Sequence, residues 1–470
     1  MGSREMNPGV SILNHPHAGA TRGPRIRAGL TLALMYVLLV FPAVVSQRGG
    51  TNEADDEQGH HIPVIETMAA QWPGVDLVHY ESATSPGYHL FFAALHRYAG
   101  IGELTMRLIN ALVSLAMVMF IWRMAARFIN PWPALALVLA FLCSTYVLGS
   151  AIWLTTDNAS LFLALIAVGG ASLLRPTAMR VIGWSAAATA AVLVRQIHLW
   201  CAAPVMLAFI LLTPVERFMA PWLGGGNDLR IARTWASLWL IPIVLLPFVV
   251  LGWLAWMWGG LMPPMYADLH NAGPNPATPA VALSVCGAFG VFFLPIFLRI
   301  GQSATPRRHE LLLIALAIAC TLLVPTSYNK DAGRWGGAIW EVARVLPSIA
   351  DRSIVLPVLG VLGAYVLIMA WRACRASGRQ REAIILLLSL LGWLVAQSMN
   401  TQAWQRYAEP ILLVALAWLA GLAMSPAQTP DIRTDSTSHR ALAGPLALAV
   451  IQFIIACWKV YWPMFHAGVA

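Results

Sequence analysis

About thirteen apolar runs, each near the ~20 residues that cross a hydrocarbon core, divide the chain from Ala28 onward. The first is Ala28 to Val45. The others lie near 103–122, 132–152, 158–174, 181–196, 198–213, 234–258, 279–298, 311–325, 353–371, 383–400, 408–424 and 441–460. In lipid every backbone N–H and C=O must find an internal partner, so runs of this length fold as helices. The reading is an all-α polytopic membrane protein of about 13 transmembrane helices. Composition agrees: 59% of the 470 residues are hydrophobic and 11% are charged, against roughly 45–50% and about 25% in soluble domains. Ala28–Val45 has a weak cleavage-like ending at Val44 and Ser46, but the long tail before it and the membrane character after it favour a retained helix. The 181–213 region reads either as one long tilted helix or as two short ones meeting at Arg195.

The resulting organisation is a flexible cytoplasmic tail at 1–27, a transmembrane domain at 28–460, and a C-terminal tail at 461–470. With the N-terminus cytoplasmic and the runs alternating, roughly two-thirds of the Lys and Arg residues fall on the cytoplasmic side, as the positive-inside rule expects. The net charge of +9 is then a topology signal. No Gly-rich phosphate loop or aromatic-laced basic stripe points to nucleic acid. The six cysteines are isolated, with no zinc spacing, and read as small hydrophobes.

Acidic residues concentrate on the opposite side, in two long loops at 46–102 and 326–352. The first carries the segment EADDEQGHHIPVIETMAAQW, in which Asp55, Asp56, Glu57, His60 and His61 crowd together. Such a cluster can supply a general base with polar helpers, or a divalent-metal site, or only a solvated acidic loop. Ile62, Ile65, Ala69 and Trp72 recur at helical spacing with Glu66 off that face, which predicts an interfacial helix with Pro63 in its first turn. The acids would then sit just ahead of that helix's N-terminus, where its dipole favours carboxylates.

Four further stretches hold polar groups at span ends. Thr84–His89 contains a Pro-Gly turn before His89. Asp157 sits where one run gives way to the next, and capping is its ordinary role. Arg195, Gln196 and His198 lie in or beside apolar sequence, where an ionisable group is functional or snorkels to the interface. Gln405–Pro410 places Arg406 and Tyr407 at a span entrance, suited to a phosphate or to an aromatic anchoring belt. The glycosylation-like triplet Asn158-Ala159-Ser160 lies too near a span to be informative.

The order of these stretches resembles the polytopic glycosyltransferases of the GT-C fold, which use polyprenyl-phosphate sugars and carry an Asp-Glu motif in the first external loop. Asp56-Glu57 stands in that place. Within the superfamily the chain most resembles the dolichyl-phosphate-glucose alpha-1,2-glucosyltransferases of N-glycan precursor assembly. Their Met-Asp-Glu-x-x-His-x-Pro motif is similar to Asp56-Glu57 with His60, or with His61-Ile62-Pro63 after a one-residue shift. Their Thr-x-Pro-Gly-x-Tyr is similar to Thr84–Tyr88, with the tyrosine one place early, and their Tyr-Thr-Asp in part to Thr155–Asp157. Their Arg-Gln and late Arg-Tyr motifs are similar to Arg195-Gln196 and Arg406-Tyr407.

The resemblance implies an inverting transfer of a hexose, glucose before others, from a polyprenyl-phosphate donor to the hydroxyl of a lipid-linked or surface glycan. Asp56 or Glu57 would be the base. Arg406, Arg195 and Tyr407 would hold the donor phosphate. Asp55, His60, His61, Glu66, His89, Asp157 and Gln196 would line the acceptor and sugar side. The implied setting is a bacterial inner membrane with a periplasmic active site, or the endoplasmic reticulum membrane in a eukaryote. No nucleotide cofactor is needed and no metal is expected, although a divalent ion stays open. The alternatives are a lipid-linked sugar flippase, a non-catalytic scaffold, or the same fold acting on mannose, aminoarabinose or another polyprenyl-linked sugar.

Overall fold

The computed structural model describes residues 22–212, 235–267, 273–301, 308–425 and 440–467. Most of the expected N-terminal tail (1–21) and the last residues of the C-terminal one (468–470) lie outside the described residues. The fold is an all-helical membrane bundle, with one two-residue hairpin, Ser348–Ile349 against Arg352–Ser353. Among the described residues eight helices are long and apolar enough to cross a membrane, or ten if each of two bent pairs is one span. The bent pairs are Pro131–Leu142 with Thr145–Ile152, turned by 75°, and Thr278–Gly290 with Leu294–Ile300, turned by 79°.

Every run expected from the sequence falls on a helix, but three fall on shorter ones: Ala178–Val194, Gln196–Ile210 and Glu310–Leu322. Length therefore supports fewer full crossings than thirteen. Two boundaries also move. The first helix is Arg22–Ser46, beginning inside the expected tail, and the last helical stretch continues through Trp462–His466, past residue 460. Between 181 and 213 the chain forms two helical pieces. The helix Ala178–Val194 ends at Arg195, whose backbone is extended (φ −146°, ψ 118°), and a short 3-10 turn, Gln196–Cys201, leads into Ala202–Ile210.

Close helix packing is set by small residues, as expected where lipid gives no hydrophobic drive between helices. A Cβ on Gly287 would meet the Leu359 carbonyl oxygen, and one on Gly363 would meet that of Leu283, so the helices Thr278–Gly290 and Val355–Ala376 touch backbone to backbone.

The two long loops lie at the same end of the bundle, each touching the start of the helix Gln405–Ala423. The first begins with the helix Asn52–Asp56, capped by the Thr51 hydroxyl, which accepts the Ala54 N–H at 3.2 Å. It runs on without a break through a π-turn, Glu57–His61, into Ile62–Gln71. The acids therefore occupy the opening turns of this helical stretch, and do not sit ahead of one starting near Ile62. Hydrogen bonding explains the shift, because Thr51 supplies a cap ten residues earlier than Pro63 suggests. Val64, Ile65, Met68 and Ala69 are buried and Glu66 is exposed, while Ile62 and Trp72 are only half-buried. This face packs on Tyr88 and Phe92 of a further helix, Gly87–Ala99, in a small core beside the main one. The second loop carries the helix Ala338–Val345. It is tied down by Trp340 Nε1 donating to the Ala403 carbonyl (2.7 Å) and by the Ile339 N–H donating to Gln405 Oε1 (3.0 Å).

Candidate active site

Three breaks in helical structure bring the polar groups together: the capped turn after Ser46, the bend at Arg195, and the start of the helix Gln405–Ala423. A cavity of about 680 Å³, counting the solvent at its mouth, opens among them. Its charged lining is Glu53, Asp157, Arg195 and Arg406, with Tyr146, His198 and Tyr407 beside them. Deeper in, Leu161, Trp200, Trp393 and Ile411 make an apolar floor. Trp200 and Ile411 also line an adjoining groove of about 250 Å³, walled by Leu165, Val168, Leu386, Leu390, Val414 and Trp418.

The arginines stand on an aromatic support. The Arg406 guanidinium lies 4.9 Å from the Trp404 ring centre and 5.2 Å from that of Tyr407, and those two rings stack at 5.6 Å. Arg195 lies 5.4 Å from the same Tyr407 ring, on the cavity side. Tyr407 thus holds both cations by cation–π attraction. Arg195 is ion-paired with Asp157. Asp157 belongs to the first turn of the helix Thr156–Leu173, whose N-cap is Thr155, so pairing rather than capping is its role. Arg406 Nη1 reaches Asp56 Oδ2 at 3.5 Å, and both remain partly open to solvent (27% and 40% exposed).

Glu57 behaves differently from its neighbour. It is fully buried; Oε1 accepts from Arg107 Nε (3.0 Å) and from the Leu154 N–H (3.0 Å), and Oε2 pairs with Arg107 Nη2 at 2.6 Å. Burial pushes its pKa up and the Arg107 hydrogen bond pulls it back. Through Arg107 it joins the acidic turn to the helix Glu103–Ala125.

The remaining expected residues spread out from the cavity. Asp55 and Glu66 are exposed. His60 is exposed, with Nδ1 3.2 Å from the Tyr266 hydroxyl. His61 Nδ1 and His89 Nε2 face each other at 2.9 Å, with rings stacked at 5.1 Å. Burial lowers the pKa of both, that of His89 to about 3, so the pair is neutral. Gln196 stitches loops: it accepts from the Ser85 N–H (3.0 Å) and donates to the Ala83 carbonyl (2.9 Å). Asn158, of the glycosylation-like triplet, is buried in the cavity wall and donates to Ser114 Oγ (3.0 Å) and the Val147 carbonyl (2.9 Å). Among the described residues no three His, Cys, Asp or Glu side chains gather as a metal-holding group.

Glu53 and Tyr146 are polar cavity residues that the sequence did not single out. Glu53 opens the acidic segment, one helical turn before Asp56, but sat outside the Asp-Glu motif; its i, i+3 spacing to Asp56 was the available signal. Tyr146 comes from the bend between Pro131–Leu142 and Thr145–Ile152, which an unbroken apolar run hides.

No family model and no curated protein matches the chain. Among solved structures, ArnT from Cupriavidus metallidurans bound to undecaprenyl phosphate is similar over 93% of this chain and 88% of that one, at 14% identity and a TM-score of 0.38. The apo state of the same protein gives 15% identity and a TM-score of 0.36 over the same shares. Likeness at this level assigns no role to any residue.

Proposed function

We propose that the protein is an integral-membrane glycosyltransferase of GT-C type that moves a sugar from a polyprenyl-phosphate carrier to an acceptor hydroxyl. The observation that carries this reading is the cavity itself: two arginines on a shared tyrosine at a charged mouth, with an apolar groove adjoining it across Trp200 and Ile411. A lipid phosphate has this polarity. Its chain lies against Trp200, Ile411 and Leu390, and its phosphate meets Arg406 and Arg195, whose guanidinium geometry matches phosphate oxygens. Charge grows on that phosphate as the bond to the anomeric carbon breaks. Arginines already in place then stabilise the transition state more than the ground state. The sugar carbon passes through an oxocarbenium-like state, and a carboxylate of the acidic turn receives the acceptor's proton. Of the motif pair, Asp56 reaches the cavity's arginine, whereas Glu57 is taken up by Arg107.

The positive-inside charge bias of the sequence favours the extracytoplasmic face for this end of the bundle, the periplasmic one in a bacterium. Glucose is the first donor to test, on the motif resemblance. The test is to give the purified protein, in lipid, polyprenyl-phosphate glucose, mannose and aminoarabinose, with and without chelator, and to follow free polyprenyl phosphate. Release from one donor in the presence of an acceptor is the expected result. Movement of intact donor across the bilayer with no release would make the protein a flippase.

A further inference from the structure

The Asp-Glu motif draws attention to Asp56 and Glu57, but neither carboxylate lines the cavity; Glu53 does. Glu57 is sealed against Arg107, and Asp56 stands beside Arg406 at 3.5 Å. Glu53 lies one turn back on the same helical face, half-buried, with its carboxylate pressed toward Gly149 of the helix Thr145–Ile152. A Cβ at residue 149 would come within 3.0 Å of Glu53 Cδ and 3.3 Å of Oε1. The missing side chain at Gly149 makes the space in which this carboxylate sits. An ordinary helix-opening acid gains from the dipole while facing water and needs no such space.

We propose, building on the glycosyltransferase reading, that Glu53 is the catalytic base, and that Asp56 is a positioning residue that holds Arg406 for the donor phosphate. The acceptor hydroxyl gives its proton to the Glu53 carboxylate as its oxygen bonds to the anomeric carbon. The bond from that carbon to the phosphate oxygen breaks, and its electron pair leaves with the polyprenyl phosphate. Glu53 then returns the proton to solvent. A division of labour follows from geometry: Asp56 is engaged with Arg406, while Glu53 is the carboxylate of this helix that lines the cavity.

Titration separates this from a structural role. Glu53 faces Asp56 on its own helix, Arg406 and Tyr146 on packed helices, and Asp157 with Arg195 across the cavity. Burial raises its pKa above the ordinary carboxylate range; a hydrogen bond from its own backbone N–H, the Arg406 charge and a hydrogen bond with Thr51 lower it, and the Asp56 charge raises it. A base works deprotonated, so kcat/KM falls as pH drops through that raised pKa. Removing the Asp56 charge moves this acid limb to lower pH.

The experiment measures kcat, donor KM and the pH profile for the wild-type chain, Glu53→Gln, Glu53→Asp, Asp56→Asn and Gly149→Ala. We expect Glu53→Gln to lower kcat by about 10²–10⁴-fold with donor KM within about threefold, and Glu53→Asp to recover part of the loss. Asp56→Asn raises donor KM and shifts the acid limb down. Gly149→Ala lowers kcat by about tenfold by displacing the carboxylate. If Glu53→Gln does not fold, Glu53→Asp and the Asp56→Asn limb shift carry the same test. A kcat for Glu53→Gln within threefold of wild type, or an unmoved limb in Asp56→Asn, overturns the assignment alone. Failure of the wild-type chain to release lipid phosphate from any donor overturns the glycosyltransferase reading and this assignment together.

Discussion

Two arginine–carboxylate groups stand a few residues apart at the same end of the bundle, and they differ in what surrounds them. Arg107 and Glu57 are 3% and 0% exposed and joined at 2.6 Å, with the Leu154 amide completing the set. Arg406 and Asp56 are 27% and 40% exposed, 3.5 Å apart, beside a cavity that holds Arg195 and Asp157 as well. A sealed pair is closed to any ligand and acts as a brace. An open pair keeps charge available to a ligand. Adjacent residues in one motif, Asp56 and Glu57, therefore belong to different tasks, and the side each faces along the helix decides which.

The contrast is broken most forcefully at the open group. Replacing Arg406 by Ala is expected to lower kcat/KM for the donor by roughly 10²–10³-fold, the scale for losing a preorganised charge at the reacting group, with the melting temperature in detergent nearly unchanged. The same replacement at Glu57 is expected to do the reverse. Leaving Arg107 buried with fewer partners costs roughly 3–5 kcal/mol, partly offset because Glu103 also pairs with Arg107 at 2.5 Å. Thermal unfolding checks this, and any protein that remains folded should keep most of its kcat. Loss of activity without loss of stability in Glu57→Ala would erase the distinction between the two groups.

Smaller effects sharpen the comparison. Truncating Trp393 to Ala opens the apolar floor and is expected to raise donor KM by about tenfold for a long-chain carrier, and by less for a short-chain one, since lost apolar contact scales with buried area. The neutral His61–His89 pair gives a pH signature. Its folded pKa values lie below the unfolded value of ~6.5, so on acidification the unfolded chain takes up protons that the folded chain refuses. Stability should hold above about pH 6.5 and decline below it toward the His89 value of about 3. His89→Phe should flatten that decline in a melting-temperature series. Asp55→Asn and Glu66→Gln, both exposed, should change kcat/KM by less than about twofold.

The long apolar runs made the helical membrane fold legible, because their length leaves the backbone few alternatives. They did not reveal the bends near Cys143 and Val291, since hydropathy carries no record of a turn made inside an apolar stretch. Arg195 showed as an anomaly within apolar sequence, and the structure puts a break in the helix there. Asp56, Arg195 and Arg406 could be picked out because charged residues at span ends are scarce. Their mutual placement, 350 positions apart for Arg406 and Asp56, is a product of tertiary folding. The motif pointed to Asp56 or Glu57 and passed over Glu53, because burial and hydrogen-bond partners distinguish one carboxylate from another and neither is written locally. Gln196 read as a site residue but is occupied by hydrogen bonds to the Ser85 and Ala83 backbone.

The central claim is that one cavity binds a polyprenyl phosphate through Arg406 and Arg195 with its chain along the apolar groove. Titrating long-chain polyprenyl phosphate into the purified protein, and following the fluorescence of Trp200 and Trp393, tests it without requiring knowledge of the sugar. Saturable binding that weakens at least tenfold in both Arg406→Ala and Arg195→Ala, while Glu57→Gln binds as wild type, is the expected result. Binding that is indifferent to both arginines, or equal for a neutral polyprenol, would contradict the account.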